Sequence, residues 1–410
     1  MADRFTHDII ISGAGLVGLS LAAACAQAGL TVALIEQQPR IPFDADAEHF
    51  SPRVSAINLA SQRMLSNLGV WQHLPAERLS AYDAMHVWDG LGQGQIDFDA
   101  HAIQQPQLGH IIENPALIEA LWRRVHELDG IDLCLPDRIS TWHQDDAGVE
   151  VETENGRVLV AQSLVASEGK HSPLRQEADI ASWQWPYHHT AIVTTVRHEL
   201  AHQRCAQQVF LPTGPLAFLP LRNAASPEHH SSIVWSVKSE QVAELLALSS
   251  EDFARALAQA FEQRLGRVEQ VSERTSFPLS AQQAKTYFNQ RVVILGDSAH
   301  SIHPLAGLGA NLGFLDAATL AETWQRARQQ GMDLGQPFVL RRFQRQRQGH
   351  NLAVAGAMEG LKRLFDSQSV LPVLLRNSGL RMLNASALAK RPIILGALGQ
   401  IGPDLPELCR

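Results

Sequence analysis

The sequence predicts an α/β protein in which a parallel-sheet domain is interrupted by an antiparallel sheet and followed by a helical carboxyl-terminal region. Three observations lead to this fold class. A glycine-rich turn at residues 13–18 joins a short apolar strand to an alanine-rich helix. The middle third contains short alternating strands between loops rich in Pro, Gly and Asn. A buried strand at residues 291–295 then leads into a second glycine-rich segment, after which the chain is helical almost to its end.

The amino-terminal segment is predicted to be a βαβ unit. An apolar run at residues 8–12 forms the first strand, and residues 16–28 form a helix that stops at Gly29. The β-branched run at residues 31–36 forms the second strand.

The turn inside this unit carries three glycines with separate roles in binding a dinucleotide. Gly13 makes the tight turn, Gly15 lets a pyrophosphate approach the backbone, and Gly18 lets the helix pack against the strand. The helix amino terminus offers free N–H groups and a positive dipole end to the phosphates. Glu36 ends the second strand, where it can accept hydrogen bonds from a ribose diol. The alternative, a merely tight connection between strand and helix, does not require this acid.

The other elements are predicted from periodicity and turn residues. Helical patterns cover residues 54–74, 115–128 and 250–265, and hairpin strands cover residues 139–166. In the middle third, alternating strands are predicted at the following positions: 191–196, 207–211, 216–221 and 232–237.

These elements divide the chain into three regions. A discontinuous dinucleotide-binding domain is expected over residues 1–80, 105–180 and 285–330. An antiparallel-sheet domain for the substrate is expected over residues 81–104 and 181–284, followed by a helical region over residues 331–410.

Composition excludes several classes of protein. The chain has 410 residues, of which 45% are hydrophobic and 19% charged, as in ordinary globular proteins. Its net charge of -8 argues against nucleic acid as a partner, because phosphate binding needs a concentrated basic surface. The four scattered cysteines lack a C-x-x-C pair, which disfavours a disulfide framework and favours a cytoplasmic location. The amino-terminal apolar stretch is interrupted by glycines, so neither a signal peptide nor a membrane span is expected.

The segment from Gly296 to Asp316 is a second candidate binding segment. Asp297 directly follows a predicted strand, at the sheet edge where α/β proteins bind ligands, and can accept a hydrogen bond from a ribityl hydroxyl. Backbone N–H groups converge where the next helix begins, which suits the anionic edge of a reduced flavin. The helix is predicted to begin near Ala310, and the residues that open it are Gly307, Gly309, Asn311 and Gly313.

This segment resembles the third FAD motif of the aromatic-ring flavin hydroxylases. The matching letters are Gly296-Asp297-x-Ala299-His300 and His303-Pro304-Leu305-Ala306-Gly307-x-Gly309-x-Asn311-x-Gly313-x-x-Asp316. The chain is more closely similar to the bacterial ubiquinone-biosynthesis hydroxylases, in particular the branch that installs the ring C5 hydroxyl. The likeness runs essentially end to end and includes residues 53–58, 68–71, 109–114, 217–221 and 233–236.

The resemblance implies a para-hydroxybenzoate hydroxylase-like fold with an FAD-binding Rossmann-like domain. It also implies a monooxygenase that hydroxylates the aromatic ring of a polyprenylated phenol, using FAD, O2 and NAD(P)H, by way of a C4a-hydroperoxyflavin. Two alternatives are a hydroxylase of a small soluble aromatic and a weakly active flavoprotein scaffold in a biosynthetic complex. A homo-oligomer, or a place in a complex of ubiquinone-biosynthesis proteins, is the expected assembly.

The resemblance also implies roles for single residues. The adenosine half of FAD would be held by Gly13, Gly15, Gly18 and Glu36, with Arg53 near the pyrophosphate or flavin and Asn114 near the ribityl chain. Asp297 would bind the ribityl chain, and the backbone N–H groups of Ala310 and Asn311 would face flavin O2. The Pro304 carbonyl would face the substrate ring. His110 is either a relay for the phenol proton or a packing histidine.

The chain departs from the family pattern at two positions. Glu168-Gly169 stands where the family has Asp-Gly in the segment that contacts both FAD and NAD(P)H, so the carboxylate sits one methylene farther out. Leu308 replaces the usual Gln, which either removes a polar contact above the flavin or makes the pocket more apolar.

Two further motifs invite other functions. Residues 183–186, Trp-Gln-Trp-Pro, partly match the motif of flavin halogenases, but the Ile is replaced and the Pro comes two places early. His300 and His303 are three residues apart, yet no supporting carboxylate or thiolate cluster appears, so no metal site is predicted.

The carboxyl-terminal region has an unusual charge pattern. Residues 367–403 contain no Asp or Glu, while Arg376, Arg381, Lys390 and Arg391 alternate with apolar residues. One interpretation is a peripheral contact with anionic lipid at the inner membrane. The other is a set of amphipathic helices that cover the protein's own core and keep the arginine head groups in water.

Overall fold

The computed structural model describes residues 5–47, 49–223, 226–302, 307–367, 369–399 and 405–410. The described strands are β1 (Ile9–Ser12), β2 (Val32–Ile35), β3 (Val54–Asn58), β4 (Ser80–Tyr82), β5 (Ala84–Asp89), β6 (Gln95–Asp99), β7 (Gly109–Glu113), β8 (Ile131–Cys134), β9 (Ile139–Gln144), β10 (Val149–Thr153), β11 (Val158–Ala161), β12 (Ser163–Ala166), β13 (Ser182–His198), β14 (Cys205–Leu211), β15 (Gly214–Leu221), β16 (His230–Lys238), β17 (Val268–Val271), β18 (Thr275–Ala284), β19 (Phe288–Asn289), β20 (Val292–Ile294) and β21 (His300–Ser301).

The described α-helices are α1 (Leu16–Gln27), α2 (Leu59–Asn67), α3 (Asn114–Glu127), α4 (Pro173–Glu177), α5 (Val242–Ala247), α6 (Ser250–Ala260), α7 (Gly309–Gln329), α8 (Pro337–Asp366), α9 (Val370–Ala385) and α10 (Ala387–Ala397).

The first sheet is parallel except at one edge and has the strand order β19-β20-β12-β1-β2-β8. Strand β1 pairs with β2 on one side and with β12 on the other. The strand order therefore reverses at β1 while the strands stay parallel, and such a switch point is where open α/β sheets bind ligands, beyond the carboxyl ends of their strands. Helix α1 lies close to α7, since a β-carbon on Gly313 would overlap the side chain of Val17.

The second sheet is mainly antiparallel, with the order β21-β18-β13-β16-β15-β14-β5-β6 and with β17 paired to β13. Its two faces differ because side chains alternate along each strand. One face packs large residues, including Phe218 and Ile233, against Phe253 and Leu257 of α6. The opposite face turns toward a separate three-stranded sheet, β3-β7-β4, and toward the carboxyl-terminal helices. The division into domains at the boundaries expected above stays a prediction.

One predicted helix is partly wrong. Residues 54–58 form strand β3, which pairs with β7, and only residues 59–67 of the predicted 54–74 helix form α2. Sheet pairing with a strand more than fifty residues away overrides the local helical pattern. The Asn58 side chain accepts a hydrogen bond from the Ser61 N–H and so caps α2.

The carboxyl-terminal helices dock on the hairpin formed by β5 and β6. Arg376 of α9 is buried and pairs with Asp89 of β5, its Nε lying 2.7 Å from Oδ2. Arg376 also donates to the carbonyl oxygen atoms of Leu364 and Phe365 at the end of α8. The Arg376 guanidinium is therefore buried. The interpretation of residues 367–403 as amphipathic helices had placed the arginine head groups in water. Within the described ranges, none of the helices is long and apolar enough to span a membrane.

Candidate functional site

A cleft of about 1210 Å³ opens beyond the carboxyl ends of the parallel strands. Most of the predicted cofactor-binding residues line it: Gly13, Gly15, Glu36, Arg53, Asn114, Glu168, Asp297, Gly307, Gly309 and Ala310. Gly18 and Asn311 lie behind its wall.

The first glycine turn has the geometry that a phosphate site needs. Gly13 adopts a φ of 100°, and a β-carbon there would lie 2.7 Å from the Ser167 carbonyl oxygen. A β-carbon on Gly18 would overlap the backbone of Gly13, so α1 and β1 approach too closely for any other residue. A β-carbon on Gly15 would meet no protein atom within 4 Å, because this position faces the cleft. The Glu36 carboxylate closes the turn by accepting a hydrogen bond from the Ala14 N–H at 2.7 Å.

The distal segment forms the opposite wall of the cleft. A short 3-10 turn, Gly296–Ser298, carries Asp297 into it directly after β20. The Asp297 carboxyl is reached by water inside the cleft, although protein surrounds it on most sides. This desolvation raises its pKa, against the opposing charges of His300, Arg53 and Lys170.

Helix α7 begins at Gly309, and the N–H groups of a first helical turn have no intrahelical partner. The backbone at Gly309 and Ala310 reaches the cleft. The Asn311 side chain holds this helix end in place by donating to the Ala56 and Gly307 carbonyl oxygen atoms, at 2.7 and 3.1 Å. It also accepts a hydrogen bond from the Asn58 N–H. Asn311 therefore ties the helix end to strand β3.

A buried ionic network lies under this wall. The Asp316 carboxylate, which is not exposed at all, accepts hydrogen bonds from His300 Nε2 at 2.5 Å and from Arg347 Nε at 2.7 Å. It also accepts from the Gly296 N–H and from Asn351 Nδ2, each at 3.1 Å. Burial alone would raise the pKa of Asp316, but His300 and Arg347 hold it well below its usual range. The network thus connects α7 and α8 to the turn that carries Asp297.

Both oxygen atoms of the Glu168 carboxylate accept hydrogen bonds from other side chains of the protein. Its Oε1 accepts a hydrogen bond from Ser12 Oγ at 2.5 Å, and its Oε2 accepts one from Ser172 Oγ at 2.6 Å. The Leu174 N–H, in the first turn of α4, lies 3.3 Å from the same Oε2. The side chain therefore joins the end of β1 to the start of α4 at the edge of the cleft.

A second, smaller cavity of about 110 Å³ adjoins the cleft. Val54 and Gly307 line both spaces, so the cavity and the cleft share a wall. Most of the remaining lining is apolar and comes from the second sheet, with the polar side chains of Tyr82, Gln208 and Ser236 among it. Burial raises the pKa of the Tyr82 hydroxyl to about 12, so this group stays neutral and can donate a hydrogen bond.

The comparison with protein families decides which cofactor the cleft serves. The model of the FAD binding domain matches residues 6–329, which include the first glycine turn and the distal segment. The chain belongs to this family. FAD is therefore its cofactor, and the glycine positions of the cleft fit a dinucleotide of that size.

Several relatives are named as enzymes of ubiquinone biosynthesis. The ubiquinone hydroxylase UbiL of Rhodospirillum rubrum is 36% identical, over 98% of this chain and 92% of the relative. The mitochondrial ubiquinone biosynthesis monooxygenase COQ6 of Xenopus tropicalis is 34% identical, over 95% and 92%. The 3-demethoxyubiquinol 3-hydroxylase of Escherichia coli K12 is 32% identical, over 96% and 98%. The predicted membership among the ubiquinone-biosynthesis flavin hydroxylases is confirmed, while the C5 branch stays a prediction.

Solved structures of flavin monooxygenases share the fold. Pseudomonas aeruginosa PqsL, in complex with 2-aminobenzoylacetate, has a TM-score of 0.77 at 20% identity, covering 92% of this chain and 99% of that one. The p-nitrophenol 4-monooxygenase PnpA of Pseudomonas putida DLL-E4 has a TM-score of 0.77 at 19% identity, covering 96% and 98%. The predicted fold class of this FAD-binding family, including its helical carboxyl terminus, is confirmed.

The two predicted catalytic residues have different outcomes. Pro304, like His303, lies outside the described residues. His110 is buried on the face of β7 opposite Ile111, which lines the small cavity. Its ring contacts Trp71 edge-on, with ring centroids 4.9 Å apart, and burial lowers its pKa to about 4. His110 is not among the residues that line the small cavity, and its role as a proton relay or a packing histidine stays a prediction.

Some residues around the cleft and the small cavity could not be predicted from the sequence. Asp316 belonged to the matched motif, but its pairing with Arg347, 31 residues later and on another helix, had no signal in the sequence. Tyr82 and Gln208 were missed because they come from strands of two different sheets and line the same cavity only in the folded protein.

Proposed function

We propose that the protein is an FAD-dependent monooxygenase that hydroxylates the aromatic ring of a polyprenylated phenol in ubiquinone biosynthesis, with O2 and with NAD(P)H as reductant. The observation that carries this proposal is the small apolar cavity that shares a wall with the FAD cleft. Such a cavity suits a single ring held beside the cofactor. The names of the relatives support the choice of a ubiquinone precursor.

The cleft residues would divide FAD between them. Gly13, Gly15 and the start of α1 would hold the pyrophosphate, and Glu36 the adenosine ribose. Arg53 would lie near the pyrophosphate or flavin. The ribityl chain would lie between two polar side chains, Asn114 and Asp297.

When bound, the reduced flavin supplies the chemistry that activates O2. The chain's own contribution is to hold and shield the reacting groups. The backbone N–H groups at Ala310 and Asn311, with the dipole of α7 behind them, would stabilise negative charge at the flavin O2 edge. The apolar cavity would exclude water from the ring.

The ring oxygen of the substrate needs a polar partner in an otherwise apolar cavity. Tyr82 and Gln208 are proposed for this role, since both are polar side chains that line a cavity whose other walls are mostly apolar. Tyr82→Phe is expected to raise KM for the phenol by about tenfold, the value of one hydrogen bond of about 1.4 kcal/mol. An unchanged KM would exclude Tyr82 from this role.

The function is tested by product analysis with two kinds of substrate. The purified protein, loaded with FAD, is supplied with NADH or NADPH and either a polyprenylated phenol or simple aromatic acids. Conversion of the prenylated phenol to a product with one added oxygen supports the proposal. Rapid NAD(P)H oxidation with aromatic acids alone would favour the soluble-aromatic alternative, and a flavin that NAD(P)H never reduces would favour a scaffold.

A cellular test is independent of the purified substrate. Cells that lack the protein should accumulate a prenylated phenol and lose ubiquinone, and the accumulated intermediate identifies the ring position attacked. Unchanged ubiquinone with no such intermediate would refute the proposal.

The ribityl contact is tested by Asp297→Ala. The variant should purify with little FAD, whereas Asp137→Ala, at a cleft residue not assigned to FAD, should keep its FAD. Full FAD occupancy in Asp297→Ala would refute the assigned contact.

We propose further that the outer faces of α9 and α10 rest on an anionic lipid surface. These two helices expose seven large apolar side chains within 24 residues, and apolar side chains grouped at a surface mark contact sites. The two most exposed, Met382 and Leu388, are 78% and 84% accessible. The exposed Arg381 and Arg391 flank them, and no acidic residue lies between residues 367 and 403 to oppose anionic lipid. The exposed apolar set is Val370, Leu371, Leu374, Leu375, Met382, Leu388 and Ile393.

Co-sedimentation with vesicles tests this surface. The double variant Leu375→Ser, Met382→Ser should bind vesicles containing anionic lipid less than the native protein, while Leu361→Ser on the exposed side of α8 serves as control. Equal binding by all three proteins, or no binding by the native protein, would refute the lipid contact. Membership of a homo-oligomer or a larger complex stays a prediction.

A further inference from the structure

The small cavity cannot hold the tail of the proposed substrate together with its ring. Its volume of about 110 Å³ is of the same order as the roughly 150 Å³ of an engineered apolar cavity that holds a single benzene ring. A chain of several isoprene units must therefore leave the cavity through one of its walls, and the wall has to be apolar.

One wall continues as a single apolar surface. In the second sheet, Met85 pairs with Ala206 of β14 and with Phe98 of β6. Since alternate residues share a face, Met85 lies on the same face as Ala206 and Gln208, which line the cavity. The same face continues outward over Val87, Ile96 and Phe98 and is there covered by α8, α9 and α10.

Met85 stands at the border between the two parts of this face. It lines the cavity, and it also packs against two apolar clusters beneath the carboxyl-terminal helices. One cluster includes Ile394 of α10, and the other includes Leu383 of α9. Methionine is unbranched and flexible, so it can turn aside more readily than any other apolar side chain of its size.

We infer that the polyprenyl tail leaves the ring cavity past Met85 and lies along β5 and β6, beneath α9 and α10. The inference rests on the proposed polyprenylated substrate. It deepens that function by naming the tail site, and it ends at the same helices whose outer faces are apolar and exposed.

Polar contacts hold the helices at the rim of this route and leave its centre apolar. Asp89 pairs with Arg376 near one end of the hairpin, and Asn377 also donates to Asp89. Farther along β6, Asn384 and Lys390 bond to Asp97. Between these anchors the contacts are apolar packing, so a tail that enters there replaces apolar contacts with apolar contacts and leaves no polar group unpaired.

The test compares two phenols that share one ring, one with a long polyprenyl chain and one with a methyl group in its place. Leu383→Trp, at a residue of α9 that is remote from the cavity lining, should lower kcat/KM for the long-chain phenol at least tenfold and leave that for the methyl phenol within threefold. Leu383→Met is the matched control and should stay within threefold for both. Equal losses for the two phenols in Leu383→Trp, or no loss for either, would overturn the route.

Hydrogen exchange provides a readout that does not depend on turnover. In the native FAD-loaded protein, the long-chain phenol should slow exchange of the backbone amides in β6 and α9, while the methyl phenol should not. Turnover of both phenols without this protection would overturn the tail site and leave the proposed function intact. If the native protein neither binds nor hydroxylates either phenol, the proposed function fails and the tail site with it.

Discussion

Replacing Asp316 by Asn is expected to destabilise the protein strongly, although no atom is lost from the core. The carboxylate is fully buried and accepts four hydrogen bonds, two of them from His300 and Arg347. The oxygen of an amide accepts hydrogen bonds, but its nitrogen donates them. The new nitrogen would therefore face one of the buried N–H groups that now donate to the carboxylate. Arg347, only 4% exposed, would also lose its anion. Breaking one side of a buried pair typically costs about 3–5 kcal/mol of unfolding free energy.

The matched control is Asp333→Asn. Asp333 also pairs with an arginine, Arg291, at 2.8 Å, but the side chain of Asp333 is 31% exposed. Arg291 keeps the carbonyl oxygen atoms of Asp145 and Gln162 as acceptors. The control is therefore expected to lose only about 1 kcal/mol.

Urea unfolding followed by tryptophan fluorescence measures both losses. A loss in Asp316→Asn within about 1 kcal/mol of the control would refute the reasoning, because the typical cost of an uncompensated buried charge is larger. Adding Arg347→Met to Asp316→Leu should recover part of the stability, since apolar residues of similar volume often replace a buried pair without loss. FAD binding to Asp316→Asn should weaken by roughly fivefold, the value of about 1 kcal/mol, because the Gly296 turn loses an acceptor.

The same carboxylate has a defined pH dependence. The pKa of Asp316 is lower in the folded protein than the value of about 3.9 for an unfolded chain, so its stabilisation is complete above that value. It is lost as the pH falls below about 4 toward the folded pKa. The stability gap between the native protein and Asp316→Asn should therefore be constant from neutral pH to about pH 5 and should narrow in stronger acid.

Three further predictions concern other parts of the molecule. Gly18→Ala should lower the melting temperature of the FAD-free protein, since the new β-carbon overlaps the first glycine turn. Gly15→Ala should leave that temperature unchanged and weaken only FAD binding. Equal melting temperatures for the two FAD-free variants would contradict this difference. Arg376→Met should speed proteolysis within the carboxyl-terminal helices by at least tenfold, as a broken buried pair costs about 3 kcal/mol or more, whereas the exposed Arg381→Met should change it little. His110→Phe should keep turnover within about twofold and leave the pH profile above pH 5 unchanged. The reasons are that burial lowers the pKa of His110 to about 4 and that its ring does not line the cavity. A tenfold loss of turnover would favour the proton-relay interpretation.

Local signals in the sequence were sufficient for the first half of the FAD cleft. The predicted strand, glycine turn, helix and second strand agree with β1, α1 and β2 to within two residues at each end. Such a unit depends on neighbours in the chain: apolar periodicity, a glycine with positive φ, and an acid at a strand end. The start of α7 was predicted one residue late for the same reason.

Pairings between distant residues were beyond any local pattern. Residues 54–58 carry apolar residues at a helical spacing, yet they form a strand because β7 offers them a ladder. Arg376 sits in a basic, apolar run that suggested a charge in water, but Asp89, almost three hundred residues earlier, draws it into the interior.

The sequence by itself determined the family, the cofactor and the two segments that approach it, because these are written in short motifs whose glycines and acids have few other uses. Only the tertiary structure decided what surrounds them. It brought Asp316, His300 and Arg347 into one buried network under Asp297. It also assembled the small cavity from strands far apart in the chain and placed Met85 between that cavity and the carboxyl-terminal helices. Burial and side-chain contact are properties of the packed sheet, and no residue carries them alone.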